Sequence, residues 1–127
     1  MHDAAPLTVL LIDDREDCLT TLDLALQQVN GVVLRSARTA EEAWDVLRRF
    51  PIAAVITDIQ LPNMTGLELI SRIRREADFE RLPIMVVSAD PDPATPGHAL
   101  QLGANAYFAK PFSPGAIRKK LEELIYG

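Results

Sequence analysis

Short apolar, β-branched runs alternate along the chain with longer segments in which apolar residues recur every three or four positions. Such alternation is the mark of successive βα units around a parallel sheet. Five strands are expected, at Thr8 to Ile12, Val32 to Arg35, Ala53 to Thr57, Ile84 to Val87 and, more weakly, Ala106 to Phe108. The first four are nearly continuous apolar runs, as strands covered on both faces should be. The first helix follows Asp14, with Cys18, Leu22, Ala25, Leu26 and Val29 as its inward stripe, Leu19 outside it and Asn30-Gly31 as its stop. Thr39-Ala40-Glu41-Glu42 is a capping box opening the second helix, whose Ala43, Leu47 and Phe50 are expected inward, with Trp44 at the margin. Thr65-Gly66-Leu67-Glu68 opens the third in the same way, and that helix ends in the charged stretch from Arg72 to Glu76. Pro91, Pro93 and Pro96 deny backbone donors ahead of the fourth helix, which is left with about two turns ending at Leu102. Ser113-Pro114, an N-cap followed by proline, opens the fifth, with Ile117, Leu121, Leu124 and Ile125 facing the core.

A length of 127 residues with 48% apolar content suits one core, so the expectation is residues 1–7 as an N-terminal extension and 8–127 as one domain. The net charge of -5 disfavours nucleic acid and anionic membranes, which are bound by clustered Lys and Arg. The lone Cys18 cannot form an internal disulfide and reads as a buried free thiol in a reducing compartment. No segment resembles a signal peptide or a membrane span, and a cytoplasmic location is expected. His2 and His98 lack partners at metal-ligand spacing and read as surface residues.

The polar residues that change this picture lie at strand ends. Asp13-Asp14 ends the first strand, Asp58 the third, Ser88 the fourth and Lys110 the fifth. Parallel sheets bind ligands beyond the carboxyl ends of their strands, and with the usual order 2-1-3-4-5 the first and third strands are neighbours. Asp13, Asp14 and Asp58 are therefore expected together, and three carboxylates in a small space require a cation. Oxygen-only ligands point to Mg²⁺, with Mn²⁺ as an alternative. In that arrangement Asp58 is a nucleophile toward phosphorus, while Lys110 and the Ser88 hydroxyl stabilise the transferring phosphoryl group. Each residue alone has a bland explanation as a cap, a turn or a solvated strand end. Five matching types at the ends of four strands are harder to explain without a shared site.

Over nearly its whole length the chain resembles the receiver domain of two-component response regulators. The likeness rests on Leu11-Ile12-Asp13-Asp14, the run from Thr57 to Gly66, Ser88-Ala89, Gly103-Ala104 and Tyr107-Phe108-Ala109-Lys110-Pro111-Phe112. It implies a flavodoxin-like (βα)5 three-layer sandwich, here with the fourth helix shortened or irregular because of its prolines. It implies phosphorylation of Asp58 by a sensor histidine kinase or a histidine phosphotransfer protein. Mg²⁺ would be held by Asp14, Asp58 and the backbone carbonyl of Gln60, with Asp13 acting through water. It further implies a cis Lys110-Pro111 bond, a switch in which Ser88 moves toward the phosphoryl group and Tyr107 swings inward, and an output face on the fourth helix, fifth strand and fifth helix. Gln60 and Asp90 occupy positions that tune the phosphoryl lifetime, and Leu19, Phe112 and Ser113 are placed for partner docking.

The proline-rich segment from Pro91 to Pro96 departs from the family pattern, so the output face is expected to be reshaped and a homodimer through it is left open. A phosphatase of the haloacid dehalogenase type also uses an Asp nucleophile after a strand, but needs a second Asp two residues on, where Gln60 stands. A degenerate receiver acting only as a protein-binding module is the other alternative. A flavodoxin-like cofactor binder is disfavoured by the lack of a Ser/Thr-rich loop after the first strand. No output domain is visible, so the chain is expected to be a stand-alone receiver or a part of a longer regulator.

Overall fold

The computed structural model describes residues 5–127. His2 and most of the expected N-terminal extension lie outside the described residues, and the first strand takes in Leu7. Five strands, β1 (Leu7–Ile12), β2 (Val32–Ala37), β3 (Ala54–Thr57), β4 (Ile84–Ser88) and β5 (Ala106–Ala109), form one parallel sheet in the order β2-β1-β3-β4-β5. The helices are α1 (Glu16–Leu26), α2 (Ala40–Arg49), α3 (Gly66–Arg75), α4 (Thr95–Leu102) and α5 (Pro114–Tyr126), with a 3₁₀ turn at Ala77–Phe79. One apolar cluster joins a sheet face to α2, α3 and α4, and a second joins the opposite face to α1 and α5. The expected three-layer sandwich is thus present. Every residue of β3 and β4 is buried, which is why those strands read as unbroken apolar runs. No helix among the described residues is long and apolar enough to cross a membrane.

Helix ends follow the sequence closely. The Thr39 and Thr65 hydroxyls accept from the backbone N–H groups of Glu42 and Glu68, and the Ser113 hydroxyl accepts from that of Ala116. In α2 the return bond of the box goes one residue upstream, where the Glu42 carboxylate accepts from the Arg38 N–H. The short α4 starts at Thr95, just past the last two prolines of its loop, and ends at Gly103 with a left-handed φ of 117°.

Three expectations are corrected. Leu19 is buried with Leu22, Ala25 and Leu26, while Cys18 is only half-buried. Spacings of 18-22-25-29 and 19-22-26-29 both describe one helical face. The rotation that wins buries a leucine in place of a smaller thiol, and it leaves Leu19 little exposed surface with which to meet a partner. Phe50 is 39% exposed and lies under the Arg35 guanidinium, 3.7 Å from the ring centroid. It is the cap of α2, in extended conformation, so the helical face no longer directs it inward. Finally, α1 stops at Leu26, and Gly31, with φ 76°, turns the chain into β2 instead of capping the helix.

Arg74 ties the far edge of this scaffold together. Its guanidinium donates to the carbonyls of Gly103, Phe79 and Glu80 and to the Asn105 side chain, which in turn accepts from the Ile84 N–H at the start of β4. Replacement by alanine leaves several partly buried carbonyls without donors. Arg74→Ala is expected to lower stability by about 2–3 kcal/mol in a denaturant titration, because each orphaned group carries its desolvation penalty. Chemistry at the opposite end of the sheet should be unaffected.

Candidate functional site

Strand register brings the site together. Ile12 pairs with Thr57 across β1 and β3, so Asp13 and Asp58 stand one residue beyond a paired position on adjacent strands. Ser88 pairs with Ala109 across β4 and β5, which places Lys110 one step beyond that pair. The backbone ladder continues through these residues: Asp13 N–H donates to Ala37 O, Asp58 N–H to Ile12 O, and Lys110 N–H to Ser88 O. Each functional side chain therefore leaves a backbone that is still fixed by its neighbour. The Lys110-Pro111 peptide bond is cis.

Lys110 is the centre of the cluster. Its Nζ donates to Asp13 Oδ2 at 2.8 Å and to Asp58 Oδ2 at 3.1 Å, and it also reaches Cys18 Sγ at 3.4 Å. The two carboxylate side chains are 1% and 5% exposed, so they need a compensating charge, and the ammonium supplies one. Burial works against the lysine cation, but the hydrogen bonds to Asp13 and Asp58 overcome it and hold its pKa above the ordinary lysine value. The remaining carboxylate oxygens are oriented by the main chain. Asp13 Oδ1 accepts from Arg15 N–H, and Asp58 Oδ1 accepts from Ile59 N–H at 2.6 Å and Gln60 N–H at 3.2 Å. That leaves Asp58 Oδ2 on the lysine side.

Asp14 does not join the pair. It is exposed, and its backbone carbonyl accepts from the Arg38 guanidinium. Among the described residues no group of three or more His, Cys, Asp and Glu side chains that could hold a metal ion is assembled. The expected convergence of three carboxylates is corrected to two about a lysine, with the third at the rim. Successive side chains of an extended backbone point to opposite sides, so burial of Asp13 sends Asp14 outward. The donor chemistry nevertheless suits a hard cation. All the acids offer oxygen, two buried carboxylates share the ammonium with a third at the rim, and Mg²⁺ commonly takes one or two carboxylates while keeping several waters.

The other candidates are placed as follows. Ser88 is fully buried, and its Oγ accepts from Asp90 N–H at 3.1 Å. Tyr107 is half-buried against the α3 and α4 side of the core, and its hydroxyl is buried without a hydrogen-bond partner among the described residues. Gln60 is exposed. Phe112 is half-buried against the α1 and α5 side of the core, and Ser113 caps α5. A groove of about 200 Å³ opens beside the lysine, lined by Asp17, Cys18, Thr21, Lys110, Pro111 and Phe112. Cys18 and Thr21 belong to the site's surroundings and were not legible as such, because the contact between Cys18 and Lys110 joins residues 92 apart. His98 is exposed, as expected.

Comparisons with known proteins bear on the family and the fold. The family model described as the response regulator receiver domain matches residues 9–122. A chemotaxis protein CheY homolog of Campylobacter jejuni is 32% identical over 118 residues, covering 92% of this chain and 91% of that protein. The response regulator Rre1 of Synechocystis is 29% identical across 96% of this chain, which spans 53% of that longer protein. Among solved structures, chemotaxis protein CheY4 of Vibrio cholerae superposes with a TM-score of 0.84 at 25% identity, covering 94% of this chain and 99% of that one.

Proposed function

From the premise that this chain belongs to the response regulator receiver domain family, we propose that it accepts a phosphoryl group on Asp58 and controls a partner through the resulting change of shape. The observation that carries the reading is the paired, buried carboxylates of Asp13 and Asp58 bridged by Lys110. Asp58 Oδ1 is held by two backbone donors, which fixes the carboxylate and presents Oδ2 for attack. The donor is a phosphohistidine of a sensor kinase or phosphotransfer protein. As the oxygen–phosphorus bond forms, the nitrogen–phosphorus bond of the donor breaks, and the leaving imidazole takes its proton from water. Lys110 is positioned to neutralise charge on the equatorial oxygens, and Ser88 to donate a hydrogen bond to one of them. Water later attacks phosphorus and releases inorganic phosphate.

Mg²⁺ held by Asp13, Asp58, the rim carboxylate of Asp14 and the carbonyl of Gln60 would supply further charge neutralisation at the transferring group. Gln60 and Asp90, each two positions beyond a site residue, are assigned to tuning of the phosphoryl lifetime. Tyr107 is assigned to the switch. Docking of the donor is assigned to the groove beside Phe112 and Ser113, with Cys18 and Thr21 in place of the buried Leu19.

The test is exposure to beryllofluoride, a phosphoryl mimic, with and without Mg²⁺, followed by amide chemical shifts. The wild-type chain should respond around Asp58, Ser88 and Lys110 only when Mg²⁺ is present, and Asp58→Asn should not respond. A response in Asp58→Asn equal to wild type would reject the assignment.

A further inference from the structure

We propose that residues 88–95 form a stiff strut and that Thr95 is a positioning residue, tying the Ser88 hydroxyl to the first turn of α4. This inference builds on the phosphoacceptor reading and adds a route out of the site. The strut is a continuous chain of hydrogen bonds. Asp90 N–H donates to Ser88 Oγ at 3.1 Å, Asp92 N–H donates to Asp90 Oδ1 at 2.9 Å, and Ala94 N–H donates to Asp92 Oδ1 at 2.9 Å. Thr95 N–H donates to Asp92 O, and the Thr95 hydroxyl closes the loop on Asp90 Oδ2 at 3.0 Å. Both ends are anchored, since Ser88 is fully buried and Thr95 is 6% exposed.

Pro91 and Pro93 have no amide hydrogen, so every backbone donor from Asp90 to Thr95 is used inside this segment. Their rings fix φ, and each also restricts the aspartate before it. A loop with so few soft dihedrals cannot absorb a displacement at one end. Movement of the Ser88 hydroxyl toward a group on Asp58 must break the Asp90 N–H bond or carry Asp90, and with it Thr95, along. Asp90 is the joint, because its N–H holds the Ser88 hydroxyl while its carboxylate accepts from both the Asp92 N–H and the Thr95 hydroxyl. Thr95 therefore acts on the site through Asp90, without touching Asp58 or Lys110. The prolines that depart from the family pattern thus make the connection to α4 more rigid.

The test compares wild type, Thr95→Val and Thr95→Ser. Valine keeps the volume and the backbone N–H of Thr95 but removes its hydroxyl. In the unmodified protein, amide exchange at Asp90 and Asp92 should rise about fivefold in Thr95→Val, as expected for one lost hydrogen bond, and return to wild-type rates in Thr95→Ser. Asp90→Ala, which removes the joint from the other side, should raise exchange at Asp92 similarly and provides a second variant should valine misfold. With Mg²⁺ and beryllofluoride, the wild type should show shifts from Asp92 through Leu102. Thr95→Val should keep those near Asp58 and lose those from Gly97 to Leu102. Wild-type exchange and undiminished α4 shifts in Thr95→Val would overturn the proposal. A wild type that takes up no beryllofluoride would instead overturn the phosphoacceptor reading, and the exchange rates would still decide whether the strut exists.

Discussion

Lys110→Ala is expected to lower stability by about 3 kcal/mol in metal-free buffer and to slow phosphoryl uptake by about 10²–10³-fold. The side chain of Lys110 is 16% exposed, and those of its partners are 1% and 5% exposed, so this ion pair is not screened as surface pairs are. Removing the ammonium leaves two adjacent carboxylates buried with no cation, which is the costly way to break such a pair. Burial opposes the lysine's charge and the bonds to Asp13 and Asp58 outweigh it, so its folded pKa is raised above the unfolded 10.5. The sign follows: the contribution is complete below that unfolded value and is lost only as pH rises through the higher folded one. The gap between wild type and variant, read as a denaturant midpoint, should therefore persist across neutral pH. Added Mg²⁺ should narrow it by supplying the missing positive charge. An unchanged midpoint in the absence of metal would show that the lysine does not neutralise the pair.

Gly66→Ala is expected to destabilise the fold by about 3 kcal/mol, the upper end of the range for overpacking, and to slow phosphoryl uptake at least as severely as a misplaced site residue would. Gly66 opens α3, and its N–H donates to Ile59 O, so the chain doubles back against the segment that carries Asp58. A methyl group added there would meet Asp58 O at 2.2 Å and Ile59 Cα at 2.7 Å. Those are backbone atoms and cannot rotate away, so the nucleophile's own peptide unit must shift. Gly97, inside α4, has nothing within 4 Å of an added methyl group. Gly97→Ala should be neutral or stabilising by up to about 1 kcal/mol, from helix propensity alone. Thermal unfolding of both variants, with acetyl phosphate labelling, separates steric damage at the site from a general intolerance of glycine replacement.

Much of this molecule was legible in the sequence, for identifiable reasons. β1, β3 and β4 announced themselves because strands covered on both faces are apolar throughout, and α4 because three prolines left it little room to begin. The strand ends ran one or two residues past the expected limits, as at Ser88 and Ala37, because hydrogen bonding continues where the apolar pattern stops. Acids and a lysine at the carboxyl ends of parallel strands can be read directly, since that geometry sends them to one rim. What could not be read was rotation and direction. The face of α1 was ambiguous between two equivalent spacings, which misplaced Cys18 and Leu19. Asp14 was grouped with Asp13 by residue type although adjacent extended residues diverge. The contact of Cys18 with Lys110 and the link from Asp90 to Thr95 depend on loop conformations that no periodicity encodes.

The most direct check is to locate the phosphoryl group chemically. After incubation with Mg²⁺ and acetyl phosphate, borohydride reduction converts an acyl-phosphorylated aspartate to homoserine, and peptide mass spectrometry finds the position. Homoserine at position 58, absent when acetyl phosphate is left out, is the predicted result. Homoserine at 13 or 14, or no reduced residue in a protein that remains folded, would contradict the assignment of Asp58 as the phosphoacceptor.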